Sequence, residues 1–215
     1  MKINRIILIQ LVLIVLFLSL VTSCKKEEQG KNYSYFVSKQ FAVEYNKGYI
    51  NNLIDLVSRS VPEVTSVKPL VTSDINVYKL VYKTTVNGTQ IDASGLICVP
   101  VNPGDYPVLS FQNGTNTVNA NAPSEFPMNY TYQMVEIIAS MGYVVVIADY
   151  PGFGESAKVP HPYLITKPTV RSLIDMLYTV KEIVGSEFPD VDHGNGTLPC
   201  MIKGILFLNN LNNSN

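Results

Sequence analysis

The chain has 215 residues, enough for one domain with a real core. A net charge of −1 with 15% charged residues leaves no basic surface, which excludes nucleic-acid binding, because phosphate neutralisation needs clustered Lys and Arg. Only His161 and His193 are available as imidazoles and no His/Cys cluster has metal spacing, so neither a metal site nor another cofactor is expected.

At the N-terminus, Lys2 and Arg5 precede an apolar run, Ile6 to Val21, broken only by Gln10 and Ser19. A basic segment followed by an apolar one reads as a secretory signal over residues 1–23. The run ends Leu20-Val21-Thr22-Ser23-Cys24, which resembles the lipobox of bacterial lipoproteins. That resemblance implies cleavage before Cys24, lipid on its thiol, and a place at the bacterial envelope on the outer membrane. An uncleaved transmembrane anchor is the alternative. Lys26-Glu27-Glu28 is similar to the surface-export tag of some Gram-negative lipoproteins; an ordinary solvated linker would look the same. Residues 24–46 read as a tether and N-terminal segment, and 47–208 as the domain.

Tyr49, Ile50, Leu53, Ile54 and Val57 recur at helical spacing, which predicts a helix over 47–59, stopped by Pro62. Residues 74–85 alternate apolar and polar and read as a strand. Asn87-Gly88 then signals a hairpin, and a second strand runs over 90–99 to Pro100. Within it Cys98 reads as a small buried residue; a bridge to Cys200 is permitted in an oxidising envelope, but no residue argues for it. After Pro103, Gly104 and Pro107, Val108 to Phe111 is a short apolar strand leading into Gln112-Asn113-Gly114-Thr115. Residues 116–128, rich in Asn and Pro, read as loop. The spacing of Tyr132, Val135, Ile138 and Ala139 predicts a helix over 131–141 capped by Gly142.

The stretch Tyr143 to Ala148 is continuously apolar and β-branched, the pattern of a strand buried on both faces in a helix-covered parallel sheet. It breaks into Asp149-Tyr150-Pro151-Gly152-Phe153-Gly154-Glu155-Ser156, a tight loop at a strand's carboxyl end, where open α/β sheets bind ligands. A helix follows over 168–184, with Val170, Leu173, Ile174, Leu177, Val180 and Val184 expected on its buried face and Gly185 past its end. Ile205 to Leu208 reads as a further strand, and 209–215 as a disordered Asn-rich tail.

Asp149 to Ser156 resembles the Asp-Tyr-x-Gly-x-Gly-x-Ser segment after the fourth strand of the α/β-hydrolase superfamily. The opening hairpin and His161-Pro162-Tyr163 are similar to its secreted esterase/lipase branch. The resemblance covers roughly 78–184 and implies the N-terminal half of that fold: an antiparallel hairpin leading into a parallel sheet flanked by helices. It assigns Asn113, Gly114 and Thr115 to a loop whose backbone N–H serves an oxyanion hole, with Asn113 where the family usually has His. It assigns Asp149, Tyr150, Gly152, Gly154 and Ser156 to the strand-end loop, and implies an ester or lipid-like small molecule as ligand once a downstream segment completes the site.

The catalytic parts do not follow. No Gly-x-Ser-x-Gly occurs in the sequence, so the nucleophile elbow, the acid and the base are absent, and the chain reads as a truncated, split or frameshifted product that is inactive alone. A local triad of Ser156, His161 and Asp149 is disfavoured by chain order and loop context. Gly152-x-Gly154-x-x-Ala157 matches a loose dinucleotide fingerprint, but Lys158-Val159-Pro160 cannot open the helix that it requires. A non-catalytic surface lipoprotein that binds a ligand or partner is the alternative function.

Overall fold

The computed structural model describes residues 32–192. The signal run, Cys24, His193, Cys200, the 205–208 strand and the tail lie outside the described residues.

The molecule is built on one five-stranded mixed sheet whose strands lie side by side in the order β1 (Phe36–Tyr45), β2 (Ile75–Val86), β3 (Thr89–Pro100), β6 (Val144–Ala148) and β5 (Val108–Phe111). Strand β1 (Phe36–Tyr45) is an edge strand, half exposed, with register breaks between Phe36 and Ser38 and between Phe41 and Val43. It lies in the stretch that the sequence reading gave to a tether. Bulges spoil the strict period of two, and an edge strand has little to bury, so no apolar pattern announces it. Helix α1 (Lys47–Ser58) follows, with the Asn46 side chain accepting from Tyr49 N–H as its cap. Pro62, expected to stop that helix, opens a separate 3₁₀ turn over Pro62–Leu70; a missing N–H is harmless at a first turn.

Strands β2 (Ile75–Val86) and β3 (Thr89–Pro100) form the predicted hairpin in antiparallel register, Val86 opposite Thr89. Asn87 and Gly88 both take positive φ, 51° and 82°, the pair that a two-residue turn of matching twist requires. Two-residue β4 (Gly104–Asp105) leads into β5 (Val108–Phe111). Helix α2 (Tyr130–Glu136) tightens into a 3₁₀ turn, Ile137–Met141, that ends on Gly142 at φ 92°.

Strand β6 (Val144–Ala148) is buried at every residue. It runs parallel to β5, Val108 opposite Val144, and antiparallel to β3, Gly95 opposite Ala148. Val145 and Ile147 pack with Ile50, Ile54, Ile137 and Ala139 on one face; Val144, Val146 and Ala148 pack with Met176, Val180 and Ile183 on the other. The two-layer cover is what an uncharged run of five apolar residues demands, and burial is worth about 1.5–3 kcal/mol for each Val and Ile.

Helix α3 (Thr166–Ile183) covers that second face, rotated from the expected face. Val170 and Ile174 are 43% and 41% exposed, and Leu173 and Leu177 are only half buried. The buried residues are Pro168, Ser172, Asp175, Met176, Thr179, Val180 and Ile183, so of the expected face Val180 is buried, as is Val184 just past the helix end. Sheet hydroxyls explain the turn: Tyr82 Oη lies 2.9 Å from Ser172 Oγ, and Thr84 Oγ1 donates to Asp175 Oδ2 at 2.9 Å. A polar face with partners outcompetes an apolar face without them. Beyond α3, β7 (Val191–Asp192) pairs parallel with β4.

One buried carboxylate is poorly compensated. Glu136 is fully buried in the core above β6, and neither carboxylate oxygen has a hydrogen-bond partner among the described residues. Burial drives its pKa from 4.5 up to about 8, with the Tyr45 hydroxyl opposing the rise.

Candidate functional site

Parallel strands β5 and β6 end side by side, so the loops leaving their carboxyl ends meet. The β5 loop carries Asn113, Gly114 and Thr115; the β6 loop carries Asp149 to Ser156. The two are tied directly: Tyr150 Oη donates to the Asn113 carbonyl at 3.0 Å. Tyr150 makes that bond from a left-handed backbone, φ 69°, which costs a non-glycine residue about 1 kcal/mol or more. Gly114 and Thr115 are exposed, and their N–H groups donate to none of the described residues. They are free donors at a strand end.

The second loop is fixed from below by Asp149. Its carboxylate is fully buried and accepts from Ser94 Oγ (2.5 Å), Ser124 Oγ (2.5 Å) and Ser124 N–H (2.8 Å). Burial pushes this carboxyl above its ordinary range, and the Ser124 and Ser94 hydrogen bonds hold it back. Ser94 Oγ also accepts from Glu155 N–H at 2.8 Å, and Asn119 Oδ1 accepts from Gly154 N–H at 2.7 Å. Sequence reasoning found Asp149 but neither serine. Their only signal is that they are hydroxyls in otherwise apolar or looped surroundings, which does not single them out.

The glycines are sterically required. A Cβ on Gly154 would stand 2.1 Å from Asp149 Oδ2, and one on Gly152 2.6 Å from His161 Cα. Both residues also have positive φ, 58° and 96°. Only a short 3₁₀ turn, Gly154–Ser156, follows the glycines, so no helix opens there to bind a dinucleotide.

Ser156 and His161 are each engaged locally. Ser156 is buried; its Oγ donates to Phe153 O (2.9 Å) and accepts from Gly152 N–H (3.0 Å). His161 Nδ1 lies 2.6 Å from Pro151 O. A carbonyl can only accept, so Nδ1 carries the proton. Its ring packs on Phe153 with centroids 4.7 Å apart. With Asp149 held by Ser94 and Ser124, no hydrogen bond joins Ser156, His161 and Asp149 to one another.

A pocket of about 360 Å³ opens over the strand ends, walled by the 113–116 loop, Tyr150 and His161, with residues 162–166, Thr169 and Val170 at its mouth. Among the described residues no group of three or more His, Cys, Asp or Glu could hold a metal, and no helix is long and apolar enough to cross a membrane.

No protein-family model matches the chain, and no curated protein matches it significantly. Solved structures do. A Legionella pneumophila protein assigned provisionally to the hydrolases is 25% identical, with a TM-score of 0.64 over 74% of this chain and 42% of its own. The rice cell wall degrading esterase LipA of Xanthomonas oryzae is 25% identical, TM-score 0.59, over 74% of this chain and 40% of its own. A second structure of that esterase gives 24% identity and a TM-score of 0.58 over 72% and 38%. The chain thus spans about two fifths of the length of the structures it matches. These likenesses support a hydrolase-like α/β fold.

Proposed function

We propose that this chain supplies the N-terminal half of a carboxylic-ester hydrolase of esterase or lipase type, held at the bacterial envelope by lipid on Cys24. One observation carries the reading. The ends of β5 and β6 bring together a loop with free N–H donors and a glycine loop locked by Asp149, in a fold shared with an esterase. The chemistry such a pair can do is electrostatic. Gly114 and Thr115 N–H are suited to donate to the negative oxygen of a tetrahedral acyl intermediate, and Tyr150 fixes their loop through Asn113. Charge stabilisation by pre-positioned donors needs no rearrangement during reaction, which is why so rigid a mounting is useful.

The nucleophile, acid and base are to come from sequence beyond these 215 residues, on a Gly-x-Ser-x-Gly elbow and later loops. Without them, donors and binding walls alone give at most residual catalysis, roughly 10³–10⁴-fold over water even in an otherwise complete site. The chain alone therefore turns over no ester at an enzymatic rate.

The test has three parts. A fluorophosphonate probe and short-chain nitrophenyl esters are applied to the full chain; a serine label lost on Ser156→Ala would restore the local triad and overturn the division of labour. The DNA after the Asn215 codon is read in all frames for the elbow, then an acid, then a His. A locus with none of them leaves the non-catalytic ligand-binding lipoprotein as the better reading. Radiolabelled palmitate should enter the protein and be lost in Cys24→Ala; a mature protein that keeps its N-terminus sinks the anchor.

A further inference from the structure

Helix α3 turns its polar face to the sheet and leaves an apolar one outside. Val170, Ile174 and Tyr178 recur every four residues, so they form one stripe along the helix, and each is exposed. The turn that leads into the helix extends the stripe. Leu164 and Ile165 are 85% and 54% exposed there, and Leu164 is held out at φ 61°, a left-handed backbone that leucine rarely takes. Lys167 and Arg171 border the stripe and wall a groove against the Asn87-Gly88 turn. Arg171 is paired with Asp175 yet stays 51% exposed, and every exposed charge of α3 is basic. So few cations cannot hold a polyanion by charge alone. An apolar stripe edged by Lys and Arg, with tyrosine among it, is the pattern of a helix lying in a membrane interface.

The place where the chain enters the domain says what lies near this stripe. Tyr33 to Phe36 are fastened to the last turn of α3 and the residues after it. Tyr33 Oη donates to Glu187 Oε1 at 2.8 Å, and the N–H groups of Ser34, Tyr35 and Phe36 donate to the Glu182 carboxylate at 2.9, 2.9 and 3.0 Å. The Tyr35 ring stacks on Tyr178, the end of the stripe itself, with centroids 5.3 Å apart. Only residues 25–32 separate Tyr33 from Cys24, and a chain of that length reaches at most about 30 Å when fully extended. An anchor at residue 24 therefore tethers the domain by its α3 side, within that reach of a bilayer.

We infer that the exposed face of α3 docks on the anionic surface of the bilayer that anchors the chain: Leu164, Ile165, Val170, Ile174 and Tyr178 enter the headgroup boundary while Lys167 and Arg171 meet lipid phosphates. Apolar burial supplies the contact, and the two cations select a leaflet that carries negative charge. This docking rests on the envelope anchor of the proposed function and not on its chemistry. It fixes which side of the domain faces the leaflet, whatever the strand-end pocket takes.

The chain contains no Trp, so an introduced indole reports its own surroundings alone. Ile174→Trp and Leu164→Trp probe the stripe. Leu56→Trp is the control, at a position 52% exposed on α1, the helix that covers the other face of the sheet. Each full-length variant is reconstituted into nanodiscs of phosphatidylcholine and phosphatidylglycerol, with and without phosphatidylcholine brominated high on its acyl chains. Bromolipid should quench emission from positions 174 and 164 about threefold or more beyond that from position 56. Leaving out phosphatidylglycerol should at least halve the difference. Should either stripe variant lose its circular dichroism spectrum, Val170→Trp replaces it. Palmitate labelling of the same preparations reports the anchor separately: unlabelled chains still quenched at 174 refute lipidation and keep the docking, because an uncleaved span leaves the same tether. Equal quenching at all three positions, none at 174 and 164, or quenching indifferent to phosphatidylglycerol would overturn the inference. So would blue-shifted emission from 174 without quenching, which would mean that a second copy or a further segment of this chain covers the face.

Discussion

Replacing Glu136 with Gln should abolish a pH dependence of stability that the native chain carries. Below pH 4.5 the carboxyl is protonated whether the chain is folded or not, and it contributes no pH dependence. Between pH 4.5 and about 8 the unfolded chain releases this proton while the folded one keeps it, because burial has raised the folded pKa to about 8. The unfolded state is favoured by 1.36 kcal/mol for each pH unit in that window. Above pH 8 both states are ionised and the penalty stays constant. Carried over the whole window it reaches at most about 5 kcal/mol, a large part of the stability of a domain this size. Local opening that admits water would reduce it. Gln has the same shape and no proton to lose. Urea unfolding followed by circular dichroism at pH 5, 6.5 and 8.5 should therefore give two curves that nearly coincide at pH 5 and diverge by about 3–5 kcal/mol at pH 8.5, the variant being the more stable. Parallel curves, or a variant weaker at pH 8.5, would show that the carboxyl ionises in the fold at little cost and that the burial argument is wrong.

Two further outcomes test the strand-end loop. Gly154→Ala places a methyl 2.1 Å from Asp149 Oδ2 as well as forcing φ 58° on alanine, whereas Gly142→Ala faces open space and pays only for its φ of 92°. Urea midpoints should fall for both, by about 1 kcal/mol for Gly142→Ala and by at least 2–3 kcal/mol for Gly154→Ala; equal losses would refute the contact. Ser94→Ala removes the hydrogen bonds to the Asp149 carboxylate and from Glu155 N–H, with a longer one from Ser124 Oγ, and should cost about 2–4 kcal/mol, while Ser38→Ala on the exposed face of β1 should cost under about 0.5.

Much of the sheet is legible in the sequence because its strands have one-dimensional signals. Residues 144–148 are five consecutive apolar positions with no charge, and Asn87-Gly88 is a turn that almost nothing else explains. The β5 and β6 loops follow from those strands, so Asn113 to Thr115 and Asp149 to Ser156 are found with them. What fails is whatever depends on a partner. The face of α3 cannot be read from apolar spacing, because Ser172 and Asp175 are buried by Tyr82 and Thr84, about 90 residues away. Ser94 and Ser124 look like any serines until the Asp149 carboxylate lies between them. Strand β1 escapes because its bulges break the alternation on which the reading relies.

The sheet order also sets a schedule for synthesis. Strands β2 and β3 are joined by a two-residue turn and β1 precedes both in the chain, so this three-stranded unit can form before β6 is made. Its inner edge, Gly95 to Cys98, is destined for β6, and Gly95 faces Ala148, about fifty residues later. At roughly 5–20 residues per second the nascent chain holds that edge open for about 3–10 seconds. During that wait Leu96, Ile97 and Cys98 present unpaired backbone and apolar side chains to any passing strand. Ribosome-bound chains arrested between residues 140 and 170 should therefore recruit holdase chaperones that chains arrested well past residue 190 no longer attract.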